Sequence, residues 1–274
     1  MRPLARRPLD GAAFRDRYGP WAVIAGASEG TGACYARELA AMGINIVLVS
    51  RRQPALEALA EALKGEFGVD TRFVVQDLTA DSAGLRIVEA AAGLDIGLYI
   101  SNAGADNFAR FFEDDADLAH QLVRMNITTL IDATHGFGRR FLERGRGGIV
   151  VMASGAGLGG QPNLALYSAT KAFEINFAES LWAEYHERGI DVIAIAAPLM
   201  ATPTLLRIVP AGFDLSGAYD PADITHNALA ALLAGEAIQI VPDGPGQEKQ
   251  PQVEADRKAR LVGFVEFNKQ FTGG

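Results

Sequence analysis

Residues 21–32 read WAVIAGASEGTG, and this stretch decides the fold. An apolar run at 21–25 leads directly into a turn that contains Gly26, Gly30 and Gly32, and a helical pattern begins at once. Glycines allow the backbone to turn tightly and to approach a pyrophosphate, and the free N–H groups at the start of a helix favour negative charge. The order of strand, turn and helix predicts a dinucleotide-binding turn, although an isolated glycine cluster is more often an ordinary turn.

Apolar runs alternate with amphipathic stretches along the rest of the chain, which is typical of βαβ units on a parallel sheet. The runs are continuous rather than alternating, so we expect strands that are covered on both faces. Six such strands are predicted at residues 21–25, 44–50, 73–75, 96–101, 149–153 and 192–196, and a seventh at 238–241. Covering helices are predicted near residues 30–42, 56–67, 115–143, 163–187 and 221–234. The predicted fold class is α/β, a single-domain, doubly wound parallel sheet.

The two ends of the chain differ from this pattern. Residues 10–18 predict a short helix within a lead-in segment, 1–19, that comes before the domain at 20–242. Residues 243–274 are expected to form a linker rich in Pro, Gly and Gln and then a C-terminal helical extension. The apolar residues of that extension must be covered, either by the domain itself or by a second subunit.

Composition and charge exclude several classes of partner. The 274 residues include 25 Lys and Arg against 33 Asp and Glu, and the formal net charge of −8 repels nucleic acid and anionic lipid. Cys34 is the single cysteine, so no intramolecular disulfide is possible and a cytoplasmic location is the default expectation. No run reaches the roughly 18 to 20 apolar residues of a membrane helix. The four histidines lack the spacing of a ligand pair, so no metal site is predicted.

Three further motifs accompany the glycine turn. They are Ser101-Asn102-Ala103-Gly104, Ser154 and Tyr167-x-x-x-Lys171. In this order and spacing, the chain resembles the short-chain dehydrogenase/reductase family over about residues 20–242. The resemblance implies a Rossmann-like sheet, a nicotinamide cofactor, and hydride transfer to or from a carbonyl or alcohol carbon. The chain departs from the family at Ala25, where a Thr is usual, and at Ser101, where the first Asn is usual.

The resemblance also implies which residues bind the cofactor. These are Gly26, Ser28, Gly30, Thr31, Gly32, Asp77, Leu78, Asn102, Ala103, Gly104, Lys171, Pro198 and Thr202. Asp77 could instead cap the next helix. The segment that begins at Pro198 matches the family imperfectly, because Leu199 replaces a Gly and the following threonines fall one residue off the usual spacing.

Arg51 and Arg52 follow the second strand and predict the choice of nicotinamide cofactor. An acidic residue at this place would bind the adenosine ribose hydroxyls of NAD. A guanidinium can bind a 2′-phosphate instead, and a charge-assisted hydrogen bond of about 1.5–3 kcal/mol favours NADP over NAD. The carboxylate of Glu29 counts against this prediction if it lies near the same phosphate. The alternative is that both arginines only mark a solvated helix start.

Tyr167 and Lys171 are four residues apart on a predicted helix, so their side chains share one face. Tyrosine titrates near pKa 10, and action at neutral pH needs a drop of about three units, or roughly 4 kcal/mol. A cation about 4–5 Å away supplies about 3–4 kcal/mol at an effective dielectric near 20. Tyr167 is therefore the expected general acid and base.

Ser154 and Asn126 complete the expected catalytic set. The hydroxyl of Ser154 can hold the reacting oxygen, and the resemblance implies that Asn126 keeps a water for proton relay. Each residue has a structural explanation when taken alone. Ser154 could cap a turn, Asn126 could bend a helix, and Lys171 could extend its ammonium to solvent.

An apolar stretch at residues 205–215 lies where the family has its substrate lid, and we hypothesise a largely apolar small-molecule carbonyl or alcohol substrate. The same stretch could equally be ordinary loop core. The family forms homodimers or homotetramers through the helices near 115–143 and 163–187. A non-catalytic NADP-binding redox sensor is the main competing interpretation. An epimerase or lyase is disfavoured by the spacing of the glycine turn.

Overall fold

The computed structural model describes residues 1–104, 108–241 and 253–263 of the chain. The expected linker after residue 242 lies outside these ranges, as does the part of the expected C-terminal helix beyond residue 263. Residues 253–263 are helical. None of the helices within these three ranges combines the length and the apolar character that a membrane crossing requires.

A parallel sheet forms the centre of the fold. Within the described residues its seven strands are β1 Trp21–Ala25, β2 Asn45–Ser50, β3 Thr71–Val75, β4 Ile96–Ser101, β5 Gly147–Met152, β6 Ile190–Ala196 and β7 Ile238–Ile240. Their order across the sheet is β3-β2-β1-β4-β5-β6-β7. The predicted doubly wound, Rossmann-like sheet is confirmed. The strand order reverses between β1 and β4, which is where sheets of this kind bind ligands.

Helices cover both faces of the sheet. They are α1 Gly11–Tyr18, α2 Gly30–Ala41, α3 Gln53–Phe67, α4 Ala83–Ala90, α5 Ala116–Val123, α6 Thr129–Arg144, α7 Ala165–Tyr185, α8 Pro203–Ile208 and α9 Pro221–Leu233. The core on one face includes α1, α2, α3 and α9, and the core on the other includes α4, α6 and α7. The single helix expected near 115–143 is in fact α5 and α6 joined by a π-helical turn, Arg124–Thr128.

The expectation that every strand is covered on both faces is wrong for β3. This strand is at the edge of the sheet and pairs with β2. Phe73 and Val75 are 40% and 49% exposed. A short apolar run has the same appearance in the sequence whether its strand is central or at the edge, because the difference comes from neighbours that are distant in the chain.

The lead-in helix α1 is fastened to the sheet through a buried polar contact. Tyr18 is fully buried, and its hydroxyl donates to Oδ2 of Asp191 on β6 at 2.7 Å. Arg17 Nε donates to the same oxygen at 2.5 Å. Burial, together with the adjacent carboxylate, raises the pKa of Tyr18. The contact joins residues that are far apart in the sequence and ties α1 to the domain.

We predict that Asp191→Ala lowers the free energy of unfolding by about 2–3 kcal/mol, because it removes the charged acceptor of two hydrogen bonds, one of them from a buried hydroxyl. Urea unfolding followed by circular dichroism measures the change. Asp16→Ala is the matched control, since Asp16 is an exposed carboxylate on α1. Equal stability of the Asp191 variant and the wild type would contradict this account of α1.

Candidate functional site

The glycine turn after β1 packs against the end of β4 with no room for side chains. Gly26 has a φ of +83°, and a Cβ atom there would lie 2.8 Å from the N and Cα atoms of Ala103. A Cβ atom at Gly32 would lie 2.1 Å from the carbonyl oxygen of Gly26. Both positions therefore require glycine, and the backbone forms a shallow cradle at the start of α2 that suits a phosphate group.

Asn102 locks this cradle from the end of β4. Its side-chain nitrogen donates to the Gly26 carbonyl oxygen at 2.9 Å, and its side-chain oxygen accepts from the Thr31 hydroxyl at 2.6 Å. Its backbone N–H donates to the carbonyl oxygen of Ala25 at 3.1 Å. The structure thus brings together the two motifs that the sequence placed at the ends of β1 and β4.

Arg52 contacts the glycine turn. Its guanidinium is 2.8 Å from Oε2 of Glu29 and donates to the Ser28 hydroxyl at 3.0 Å. Arg51, the preceding residue, is exposed. Hydrogen bonds from Thr79 lower the pKa of Asp77, and the charge of Arg51 adds to this effect. The two arginines therefore differ, since Arg52 is already paired with a carboxylate of the turn.

Glu29 links the glycine turn to α8. Its carboxylate accepts from the Thr204 hydroxyl at 3.0 Å and from Nη1 of Arg207 at 3.0 Å, and Arg207 Nη2 makes a further short contact. A hydrogen bond from Arg207, helped by those from Arg52 and Thr204, lowers the pKa of Glu29 to about 2, although burial acts in the opposite direction. Sequence reasoning missed Arg207. The signal in the sequence was Glu29 itself, because a carboxylate in a glycine turn that suits a phosphate indicates a nearby cation.

Asp77 and Leu78 lie in a tight turn after β3. The Asp77 carboxylate accepts from the backbone N–H and the hydroxyl of Thr79, at 2.9 and 2.8 Å. The alternative that Asp77 caps the next helix is wrong, because α4 begins later, at Ala83. The carbonyl oxygen of Leu78 accepts from Thr129 at 3.0 Å, which fixes the turn against α6.

The segment after β6 leads from Pro198, which is buried, to α8. Thr202 caps α8, because its hydroxyl accepts from the backbone N–H of Leu205 at 3.2 Å. A Cβ atom at Gly30 would lie 3.5 Å from the Thr202 side chain, so this segment faces the glycine turn. The predicted residues on the two segments are therefore neighbours.

Tyr167 and Lys171 lie on the first two turns of α7 and face the same way, as their spacing predicts. The Lys171 Nζ atom is 5.7 Å from the centroid of the Tyr167 ring. Tyr167 is half-buried, whereas Lys171 is 3% exposed. A Cβ atom at Gly104 would lie 3.1 Å from Lys171 Nζ, so the end of β4 contacts the ammonium directly.

Glu174 is a buried partner of Lys171 that the sequence analysis missed. Lys171 Nζ donates to its two carboxylate oxygens at 3.0 and 2.8 Å and to the carbonyl oxygen of Met152 at 2.9 Å. Burial raises the pKa of Glu174 to about 7, although Lys171 acts in the opposite direction. The sequence estimate treated Lys171 as an unpaired cation. The spacing of three residues on a helix was the signal that could have revealed the pair.

Asn126 lies in the π-helical turn and is 1% exposed. Its side-chain nitrogen donates to the Thr170 hydroxyl at 3.0 Å, and that hydroxyl donates to the carbonyl oxygen of Tyr167 at 2.8 Å. A Cβ atom at Gly104 would lie 3.9 Å from Asn126 Oδ1. Asn126 and Lys171 therefore meet at the same glycine, and single-turn π-helices of this kind are frequent at functional sites.

Ser154 begins the short 3-10 turn Gly155–Leu158, and its hydroxyl accepts from the backbone N–H of Ala156 at 3.2 Å. A Cβ atom at Gly157 would lie 2.6 Å from the backbone C and O atoms of Lys171, so this turn packs directly on α7. The hydroxyl oxygen caps the turn, and the hydroxyl can still donate a hydrogen bond to another oxygen. The four expected catalytic residues thus belong to one cluster at the carboxyl edge of the sheet.

Comparisons with known proteins found a matching family model and similar proteins. A family model described as short chain dehydrogenase matches residues 20–210, more than half of the chain. A 7beta-hydroxysteroid dehydrogenase from Clostridium sardiniense is 34% identical over 230 residues, which cover 81% of this chain and 88% of that protein.

Two solved structures are similar over most of the chain. A short-chain dehydrogenase from Sphingobium yanoikuyae in complex with NADPH is 29% identical, with a TM-score of 0.78 and coverage of 89% of this chain and 95% of that one. The bulky-bulky ketone specific alcohol dehydrogenase from Comamonas testosteroni, in an orthorhombic crystal, is 28% identical, with a TM-score of 0.76 and coverage of 89% and 94%.

We predict that Gly32→Ala weakens NADPH binding by at least about ten-fold, because the new Cβ displaces the Gly26 carbonyl and opens the cradle. Fluorescence titration with NADPH measures the dissociation constant. Gly138→Ala on α6 is the control, since a Cβ atom there meets nothing within 4 Å. Unchanged NADPH affinity in the Gly32 variant would show that the cradle does not bind the cofactor.

Proposed function

This chain belongs to the short chain dehydrogenase family, and on that premise we propose that it is an NADP-dependent oxidoreductase acting on a carbonyl or secondary alcohol. The observation that carries the proposal is the cluster of Ser154, Tyr167, Lys171 and Asn126 beside the glycine cradle. The Lys171 ammonium is 5.7 Å from the centroid of the Tyr167 ring, and the two side chains lie on the same face of α7.

The residues at the switch point of the sheet fit a dinucleotide. Gly26, Ser28, Gly30, Thr31 and Gly32 would hold the pyrophosphate, because a Cβ atom at Gly26 or Gly32 would clash with the backbone and force the turn out of shape. The remaining contacts would come from Asp77, Leu78, Asn102, Ala103, Gly104, Lys171, Pro198 and Thr202. The nicotinamide, when bound, supplies or accepts the hydride.

The side chains of the cluster would handle the proton. In reduction the Tyr167 phenol donates its proton to the carbonyl oxygen, and in oxidation it takes the proton of the alcohol. The Ser154 hydroxyl holds the same oxygen, and the positive charge of Lys171 favours the ionised phenol. Asn126, whose side chain donates to the Thr170 hydroxyl, would keep a water for proton relay.

Arg51 supports NADP over NAD as the cofactor. It stands at the end of β2, the position that selects between the two, and it is exposed beside the turn. Arg52 can also turn toward a 2′-phosphate, because Glu29 would keep Arg207 and Thr204 as partners. The similar Sphingobium yanoikuyae enzyme is described as an NADPH complex.

A bulky, largely apolar substrate fits the surface around α8. Leu206, Ile208 and Phe213 are large apolar side chains that are exposed on and after this helix. The relatives described above are named for a hydroxysteroid and for a bulky-bulky ketone. An apolar lid would exclude water from the reacting carbonyl.

The exposed apolar residues Leu118 on α5 and Ile131 on α6 are consistent with a homodimer or homotetramer. We also infer a cytoplasmic location, from the single cysteine.

We predict that Tyr167→Phe lowers kcat for a bulky ketone by about 10²–10⁴-fold with little change in NADPH affinity, because only the proton donor is removed. Steady-state assays of NADPH oxidation measure it. Tyr185→Phe is the matched control, a half-buried tyrosine at the other end of α7. Turnover near the wild-type rate in the Tyr167 variant would refute the acid–base role. NADPH binding without turnover of any carbonyl in a broad panel would favour a redox sensor.

We predict that Arg51→Asp shifts the NADPH-to-NADH affinity ratio toward NADH by about ten-fold to a hundred-fold, because a charge-assisted bond to the 2′-phosphate becomes a repulsion. Titration of the variant with each cofactor gives the ratio. Arg86→Asp, an exposed change of the same charge on α4, controls for the altered net charge. The assignment of Arg51 fails if the two variants have the same ratio.

A further inference from the structure

Glu174 is a buried carboxylate that the proposed mechanism does not use. It lies on α7 one turn after Lys171, and both side chains are 3% exposed. A buried carboxylate is costly unless it is paired, so its place beside the lysine of the acid–base cluster calls for an explanation.

The contacts of Lys171 define where its ammonium points. Its acceptors include the carbonyl oxygen of Met152, at 2.9 Å, and the two oxygens of Glu174, at 3.0 and 2.8 Å. Glu174 and the end of β5 together hold the Lys171 ammonium between α7 and the sheet.

The charge of this pair contributes to the electrostatic potential at Tyr167, because the Lys171 ammonium lies 5.7 Å from the centroid of the Tyr167 ring. When Glu174 is ionised, its charge offsets that of Lys171, and when Glu174 is protonated a full positive charge remains. At an effective dielectric near 20, a unit charge roughly 10 Å away moves a titration midpoint by about one pH unit. Lys171 is the charged group that acts on the Glu174 carboxylate, and Tyr167 is the titratable group on the same face of α7.

We propose that Glu174 is a positioning residue that holds Lys171 in place and sets the net charge beside Tyr167. In its ionised form it weakens the pull of Lys171 on the phenol proton, and in its protonated form it leaves that pull complete. This inference rests on the proposed role of Tyr167 as general acid and base. Because burial raises the pKa of Glu174 to about 7, the change of charge falls close to neutral pH.

The test is the ionisation of Tyr167 in the protein without cofactor. Tyrosinate absorbance is followed in a pH titration, and the signal of Tyr167 is isolated by subtracting the Tyr167→Phe variant in the same background. We expect Glu174→Gln to lower the midpoint of this signal by about one pH unit, because the offsetting charge is gone. A fall of less than half a unit, or a rise, overturns the proposal. A rise would mean that Glu174 keeps Lys171 protonated.

Glu179→Gln is the matched control. Glu179 is equally buried on α7, but its carboxylate accepts from Nε of Arg257, at 2.6 Å, and not from Lys171. We expect a clearly smaller shift of the Tyr167 midpoint in this variant, since Glu179 lies about 18 Å along α7 from Tyr167 and the interaction falls with distance and is screened by salt. A control shift equal to that of Glu174→Gln would overturn the proposal.

A second variant keeps the proposal testable if Glu174→Gln does not fold. Lys171→Met combined with Glu174→Leu replaces a neutral pair by neutral side chains, and such replacements of buried pairs are well tolerated. We expect a Tyr167 midpoint within about half a unit of the wild type, and a rise of about one unit would overturn the proposal. These titrations do not depend on turnover. Failure of the proposed function would instead appear as an active Tyr167→Phe enzyme.

Discussion

The contact between two backbone segments, the glycine turn after β1 and the end of β4, is the constraint on which the site depends. Gly26 and Gly32 have no space for a Cβ atom, and Asn102 bonds both sides of the junction. Two residues further along, Gly104 lies against the ammonium of Lys171. The glycine turn and the helix α7, which carries Tyr167 and Lys171, therefore both contact one continuous stretch of chain.

The structural and the catalytic explanations of the cluster are compatible. The Ser154 hydroxyl caps a turn, the Asn126 amide bonds Thr170, and the Lys171 ammonium is held by Met152 and Glu174. These contacts help to hold each side chain in place, which is the preorganisation that the proposed activity requires. The hydrogen bonds that give each residue a structural role are thus compatible with the proposed catalytic role.

Charge compensation explains the acidic residue in the glycine turn. Glu29 is surrounded by Arg52, Arg207 and Thr204, so its negative charge is balanced from two directions. The sequence analysis counted Glu29 against the binding of a 2′-phosphate by Arg51 and Arg52. The missing partner, Arg207, is 178 positions away in the chain, and its helix α8 meets the turn only in the folded protein.

The sequence by itself determined the strands, most of the covering helices, the glycine turn and the shared face of Tyr167 and Lys171, but it did not predict helices α4 and α8. These features follow from local spacing, because backbone geometry repeats every two or 3.6 residues. The tertiary structure alone decided that β3 is an exposed edge, that Asp191 fastens α1, and that the Lys171–Glu174 pair is buried. Burial and long-range partners depend on how distant segments pack, and no local spacing encodes that packing.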